Sequence, residues 1–163
     1  MNIIDPFVGT GNFIVRVMQA LDPISLERKY TAEPPELQCN EVMLLPYYIA
    51  SLNIEQQFYT ATNRYAPYKG ICLVDTFEMA EERQIQMFTP ANTERVEKQK
   101  QTPMFVVIGN PPYNAGQINE NDNNKNREYE TMDERIADTY AKDSKATNRN
   151  KLYDPYILAP VPR

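Results

Sequence analysis

Apolar and polar positions along the chain switch between a period of two and a helical period, and the switches divide it into elements. Asn2-Ile3-Ile4-Asp5 reads as the last residues of a strand ending in a carboxylate. A glycine-containing turn from Asp5 to Phe13 leads into an apolar, helix-like stretch from Ile14 to Leu21, which Asp22-Pro23 stops. Residues 22–36 are polar and proline-bearing, and a connection is expected there. Glu36 to Val42 alternates as a second strand with Glu41 at its tip. Leu45 to Ile54 has apolar residues at helical spacing, with Pro46 suited to the first turn. Gln56 to Lys69 is expected to be a loop whose rings (Phe58, Tyr59, Tyr65, Tyr68) pack over a sheet edge. Gly70 to Asp75 is a third strand, again closed by a carboxylate, and Glu78 to Met87 a short helix. Thr89 to Thr102 is polar enough to read as a mobile connector before a fourth strand, Met104 to Ile108. Beyond Tyr113 an Asn-rich segment runs to about Asn150, with helical promise only around Tyr129 to Ala141. Leu152 to Leu158 is apolar and aromatic.

Strand, glycine turn and helix form the first unit of a Rossmann-like α/β fold, a doubly wound and mostly parallel sheet. Residues 1–113 are expected to hold its core, which is incomplete, with no convincing fifth to seventh strand, and 114–163 a polar extension. In such a sheet the carboxyl ends of the strands face one crevice, so Asp5, Glu41, Asp75 and Asn110 are expected around one ligand. Gly9 and Gly11 let the backbone approach that ligand closely. The helix that follows presents free N–H groups to a negative group, here a carboxylate. Position 14 is Ile, so the three-glycine dinucleotide fingerprint is not met, and no Walker phosphate loop is present. Of five glycines, Gly9, Gly11 and Gly109 lie in the two turns. Glu41 stands where an acid accepts ribose hydroxyls, although a solvated strand-end acid fits the same place.

The fourth strand delivers Gly109-Asn110-Pro111-Pro112-Tyr113. Two consecutive prolines fix φ and remove two donors, so neither strand nor helix continues there. The carboxamide of Asn110, the carbonyl of Pro111 and the ring of Tyr113 remain: two acceptors for an NH2 group and a face for stacking. A nucleobase amine suits that set. A tight structural turn after an edge strand has the same composition.

Hydrophobic content of 42% and charged content of 24% are ordinary for a globular domain. No apolar run reaches the ~20 residues of a membrane span, and no signal pattern opens the chain, so a cytoplasmic protein without membrane contact is expected. Cys39 and Cys72 are expected to be buried free thiols. The absence of His excludes Ser-His-Asp chemistry and His-based metal sites. A net charge of −5 argues against a surface that binds nucleic acid throughout; only Lys142, Lys145, Arg149 and Lys151 form a locally basic tail.

DPFVGTGNF (Asp5 to Phe13) and NPPY (Asn110 to Tyr113) resemble the first and fourth motifs of the gamma-class amino-group DNA methyltransferases, specifically N6-adenine enzymes. The stretches NIEQQFYTATNRYAPYKGICLVDTFE and VVIGNPPYNAGQINENDNNKN are similar to the methyltransferase region of single-polypeptide type I restriction-modification enzymes. The resemblance covers most of the chain and implies a class I fold that binds S-adenosylmethionine. It implies that Asp5, Pro6, Gly9, Thr10, Gly11 and Phe13 surround the methionine moiety and that Glu41 holds the ribose. Asp75 would bind the adenine amine, with Thr76 or Phe77 against the ring. Asn110, Pro111 and Pro112 would form the grip on the target N6 amine, and Tyr113 would stack on a flipped base. Double-stranded DNA is the implied partner, held through a target-recognition domain that this chain lacks. The chain is thus expected to be a fragment of such an enzyme. The alternatives are a catalytically inactive remnant, and a protein-glutamine methyltransferase, which shares NPPY but leaves Asp5-Pro6 unexplained.

Overall fold

The computed structural model describes residues 1–80, 89–112 and 129–142. They fall into two compact units, one of residues 1–76 and 84–110, the other of 77–83 and 111–163. In the first unit, strands β1 (Ile3–Asp5), β2 (Leu37–Glu41), β3 (Ile71–Leu73) and β4 (Val106–Val107) form a sheet in the order β3-β2-β1-β4. All pairings are parallel, with Ile3 opposite Leu37 and Val106, and Cys39 opposite Ile71. The expected Rossmann-like α/β architecture is therefore the one found. The chain winds outward from β1 through β2 to β3, then returns to the other side of β1 to lay down β4. That reversal sets the loops after β1 and β4 apart at their carboxyl ends, where α/β sheets hold ligands.

Helix α1 (Asn12–Gln19) follows β1 directly and buries Ile14 and Met18, one turn apart. Residues 23–31, expected as connection, are instead helix α2 (Pro23–Thr31). Asp22 caps it by accepting from the amides of Ile24 and Ser25, and Pro23 occupies its first turn. The Asp-Pro pair that stops the preceding helix thus starts the next one. Leu26 and Tyr30 bury its inner face.

Helix α3 (Leu44–Thr62) extends well past the expected end at Ile54, so the aromatic loop is shorter than its composition suggests. Ala50, Ile54 and Phe58 form its buried stripe at four-residue spacing, and Asn63 ends it in the left-handed conformation (φ 53°). Phe58 stacks on Tyr30 with centroids 3.9 Å apart, and Tyr68 lies 5.2 Å from Tyr30. Of the four rings expected to pack over a sheet edge from a loop, Phe58 and Tyr68 are buried in the core, Phe58 from within α3, whereas Tyr59 and Tyr65 stay on the surface. Cys39 and Cys72 are buried free thiols.

The largest correction concerns residues 90–101. The expected mobile connector is helix α4 (Pro90–Gln101), capped by the Thr89 hydroxyl, which accepts from the amide of Asn92. Its apolar content is low because polar side chains make its contact with the sheet. The Asn92 carboxamide accepts from the amide of Leu73 and donates to the carbonyl of the same residue, so it pairs the outer edge of β3. Arg95 donates to the carbonyl of Ile71 two residues earlier. Polar groups that would be costly if unpaired are matched to an edge strand that would otherwise be open.

In the second unit, a 3₁₀ turn (Glu78–Ala80) stands at the start of the expected 78–87 helix, whose remainder lies outside the described residues. Helix α5 (Glu130–Ile136), continued by a π-helical turn (Ala137–Ala141), occupies the region of expected helical promise. Phe77 packs against Tyr129 with ring centroids 5.2 Å apart. Tyr113, the Asn-rich stretch before Tyr129, the basic tail beyond Lys142 and Leu152 to Leu158 lie outside the described residues. None of the described helices is long and apolar enough to cross a membrane.

Candidate functional site

Because every strand of the sheet is parallel, the predicted strand tips emerge on one edge. Asp5 ends β1 and is fully buried. Its Oδ1 accepts from the amide of Phe7 at 3.1 Å, while its Oδ2 is buried with no hydrogen-bond partner. Burial pushes its carboxyl up to about 6, against the lowering effect of the Phe7 amide and with a small contribution from the charge of Glu41. A buried carboxylate with an unused oxygen is costly for a fold to keep.

The turn after Asp5 is tied down from several sides. The amide of Gly9 donates to Glu41 Oε2 at 2.9 Å, and the other oxygen of Glu41 accepts from the amide of Met43. The amide of Val8 donates to the carbonyl of Asn40. The Thr76 hydroxyl donates to the carbonyl of Pro6 at 2.7 Å and accepts from the Asn40 carboxamide at 3.1 Å. On the other side Asn53 of α3 donates to the carbonyl of Thr10 at 2.9 Å. These bonds join the ends of β1, β2 and β3 into one surface.

The two glycines of the turn serve different needs. Gly9 has φ +55° and nothing within 4 Å of where a side chain would project, so open space lies over its backbone. Gly11 has φ +93°, a backbone conformation that L side chains rarely adopt, whereas a Cβ there would meet the backbone of Ala50 only at an ordinary contact distance of 3.4 Å, so the turn and not crowding calls for glycine. Gly11 also begins α1, and no side chain caps that helix, so its first amides point into the region over the turn. Phe13, in the first turn of α1, is 42% exposed.

The fourth strand joins the set through Gly109. A Cβ there would lie 2.6 Å from Asp5 Oδ1, so only glycine lets the start of the GNPP loop lie against the buried acid. Asn110, the last residue of the first unit, is exposed. Asp75, two residues beyond β3, is buried. Asp5, Pro6, Gly9, Thr10, Gly11, Glu41, Asp75, Thr76 and Asn110 thus stand at the carboxyl edge of one sheet. Phe77, Pro111 and Pro112 belong to the second unit, where Phe77 is buried and Pro112 exposed.

The structure gives two of the predicted site residues protein partners. Thr76 offers its hydroxyl to protein partners on both sides and acts as a tie between β1 and β2. Glu41 spends one acceptor position of each oxygen on backbone amides, which holds the glycine turn and leaves further lone pairs. Asn40 and Asn53 were not singled out from the sequence, whereas Gly109 was, as one of the three turn glycines. A carboxamide inside an otherwise buried strand was a signal for Asn40; nothing in the helical pattern marked Asn53.

No protein-family model matches the chain, and neither does any curated protein. Solved structures do. A DrdV–DNA complex aligns with 98% of this chain at 46% identity and a TM-score of 0.88, over 15% of its own length. A nuclease-deletion mutant of the Type ISP restriction-modification enzyme LlaGI, in complex with a DNA substrate mimic, gives 98% coverage, 42% identity and 0.87, over 14% of its length. The ATP-dependent Type ISP restriction-modification enzyme LlaBIII bound to DNA gives 98%, 39% and 0.86, over 12%. This chain is therefore homologous to one segment of Type ISP restriction-modification enzymes and spans a small part of their length.

Proposed function

We propose that the chain is the cofactor-binding and base-modifying segment of a DNA methyltransferase that acts on the N6 amine of adenine within a restriction-modification enzyme. The observation that carries the reading is the joining of four parallel strand ends around Asp5. There a buried oxygen has no partner, space lies open over Gly9, and Gly109 brings Asn110 to the same edge. Three acids at that edge, Asp5, Glu41 and Asp75, suit a cationic ligand with hydroxyl and amine donors. S-adenosylmethionine has that chemistry: an ammonium, a sulfonium, two ribose hydroxyls and an adenine amine. When bound, it supplies a methyl group activated by the sulfonium.

The residues of the chain then bind and orient. Asp5 and the glycine turn receive the methionine end, Glu41 the ribose and Asp75 the adenine amine. The carboxamide oxygen of Asn110 and the carbonyl of Pro111 accept the two N–H groups of the target amine. Paired in that way, the nitrogen favours a pyramidal shape with its lone pair directed away from the base. Positioning and electrostatics provide the catalysis, and a strong general base is not needed. The target base must leave its Watson–Crick pair to reach such a loop, and Tyr113 is the stacking face. Homology to segments of DNA-bound enzymes supports double-stranded DNA as the partner.

Calorimetric titration of the chain with S-adenosylmethionine, beside an Asp75→Ala variant, tests the binding half; weaker binding in the variant is expected, and equal binding would count against it. Transfer of labelled methyl to DNA by the enzyme carrying this segment tests the chemistry. Label recovered as N6-methyladenine is expected, and label on cytosine or on protein would overturn the assignment.

A further inference from the structure

Asn53 lies well inside α3 (Leu44–Thr62), where Asn is a poor helix former because its carboxamide competes with the backbone for hydrogen bonds. Packing does not account for it. The helix is anchored by Ala50, Ile54 and Phe58, whereas Asn53 is exposed. What its side chain does is leave the helix: Nδ2 donates to the carbonyl of Thr10 at 2.9 Å.

A bond at that carbonyl acts on the glycine turn. Gly9 (φ +55°) and Gly11 (φ +93°) flank Thr10, and glycine permits many conformations, so the segment between them keeps its shape through its hydrogen bonds. The peptide that joins Thr10 to Gly11 is held at both ends. Its N–H donates to the carbonyl of Val8 at 2.9 Å, and its C=O accepts from Asn53. The amides on either side of it, of Thr10 before and of Asn12 and Phe13 after, have no hydrogen-bond partner among the described residues. All three residues are exposed. Successive N–H groups in a turn that opens a helix suit a carboxylate.

We propose that Asn53 is a positioning residue for the carboxylate of the cofactor's methionine arm. By fixing the Thr10–Gly11 peptide, it holds the neighbouring amides in the orientation in which they donate to that carboxylate. The inference rests on the proposed S-adenosylmethionine site and adds to it a residue that acts through the backbone of the turn. Without the bond, the turn has to be ordered when the ligand arrives, and that cost falls on affinity rather than on folding. It falls only on ligands that use the turn.

Two ligands separate the effects. S-adenosylhomocysteine carries the amino-acid arm, whereas 5′-methylthioadenosine has the same adenosine and sulfur with a methyl group in place of the arm. Calorimetric titration of the full chain and of Asn53→Ala with each is the test. In the variant, affinity for S-adenosylhomocysteine should fall by about three- to tenfold, the worth of one hydrogen bond, and that for 5′-methylthioadenosine should stay within about twofold. The urea midpoint of the variant should not fall, since Ala is the better helix former. Equal weakening of both ligands would make Asn53 a general structural residue and overturn the proposal, as would unchanged affinity for both. If the unsubstituted chain binds neither ligand, the cofactor site itself fails and this inference with it.

Discussion

Replacing Asp5 by Asn should make the protein more stable and a poorer binder at the same time. Asp5 is fully buried, with its carboxyl raised from 3.8 to about 6, chiefly by burial. A folded-state value above the unfolded one means that the folded chain holds the proton more tightly. Stability is therefore highest below pH 3.8, falls as pH climbs through the window between 3.8 and about 6, and stays lowered above it. At roughly 1.4 kcal/mol per pH unit, the displacement corresponds to about 3 kcal/mol lost at pH 8. Asn has the shape of the protonated acid, keeps an oxygen for the Phe7 amide, and carries no charge to desolvate. Urea unfolding of both proteins across pH 4 to 8 should therefore show the variant ahead by about 2–3 kcal/mol at pH 8, with the gap closing as pH approaches 4. Its affinity for S-adenosylmethionine should fall, as expected of a site that keeps a costly charge for a ligand. A variant less stable than the parent at pH 8, or a gap independent of pH, would show that Asp5 is not a desolvated charge and would refute the reasoning.

Other perturbations probe the ties around the site. Thr76→Val removes the bonds to Pro6 and Asn40 and should cost about 1–3 kcal/mol in denaturant unfolding, with a weaker affinity for S-adenosylmethionine. Gly109→Ala places a methyl group 2.6 Å from Asp5 Oδ1 and should cost ~1–3 kcal/mol and disturb amide exchange in β1; a neutral outcome would mean the GNPP loop does not press on Asp5. Asn92→Leu leaves the edge of β3 unpaired at both Leu73 groups, with an expected loss of about 2–4 kcal/mol and faster hydrogen exchange at the Leu73 amide.

Local patterns that carry their own physics were legible. A strand that ends in Asp-Pro and passes into Gly-x-Gly before an apolar helix has few other ways to fold, and β1, its turn and α1 appear where expected. The alternation of Glu36 to Val42 and the apolar run before Gly109 likewise yield β2 and β4. The helices were harder to read. Asp22-Pro23 is both a stop and a start, and choosing one meaning hid α2. The apolar stripe of α3 runs on through Ile54 to Phe58, but the aromatic residues beside it resembled a loop. Helix α4 was the least visible, because its contact with the sheet is made by Asn92 and Arg95 through hydrogen bonds. Such bonds leave no periodic apolar signature.

Taken alone, the sequence determined the four strands, the first helix, their order and the chemical groups at the strand tips, because strand periods, prolines and glycines act over a few residues. Only the tertiary structure decided what those groups do to one another. It placed Gly109 against Asp5, turned Thr76 into a tie between strands, set Glu41 on the amide of Gly9 and left Asp5 Oδ2 and the Gln99 amide without partners. Those contacts join residues as far apart in the chain as Asp5 and Gly109. Whether a buried polar group is satisfied depends on what the parallel sheet brings beside it, and no short window of sequence contains that information.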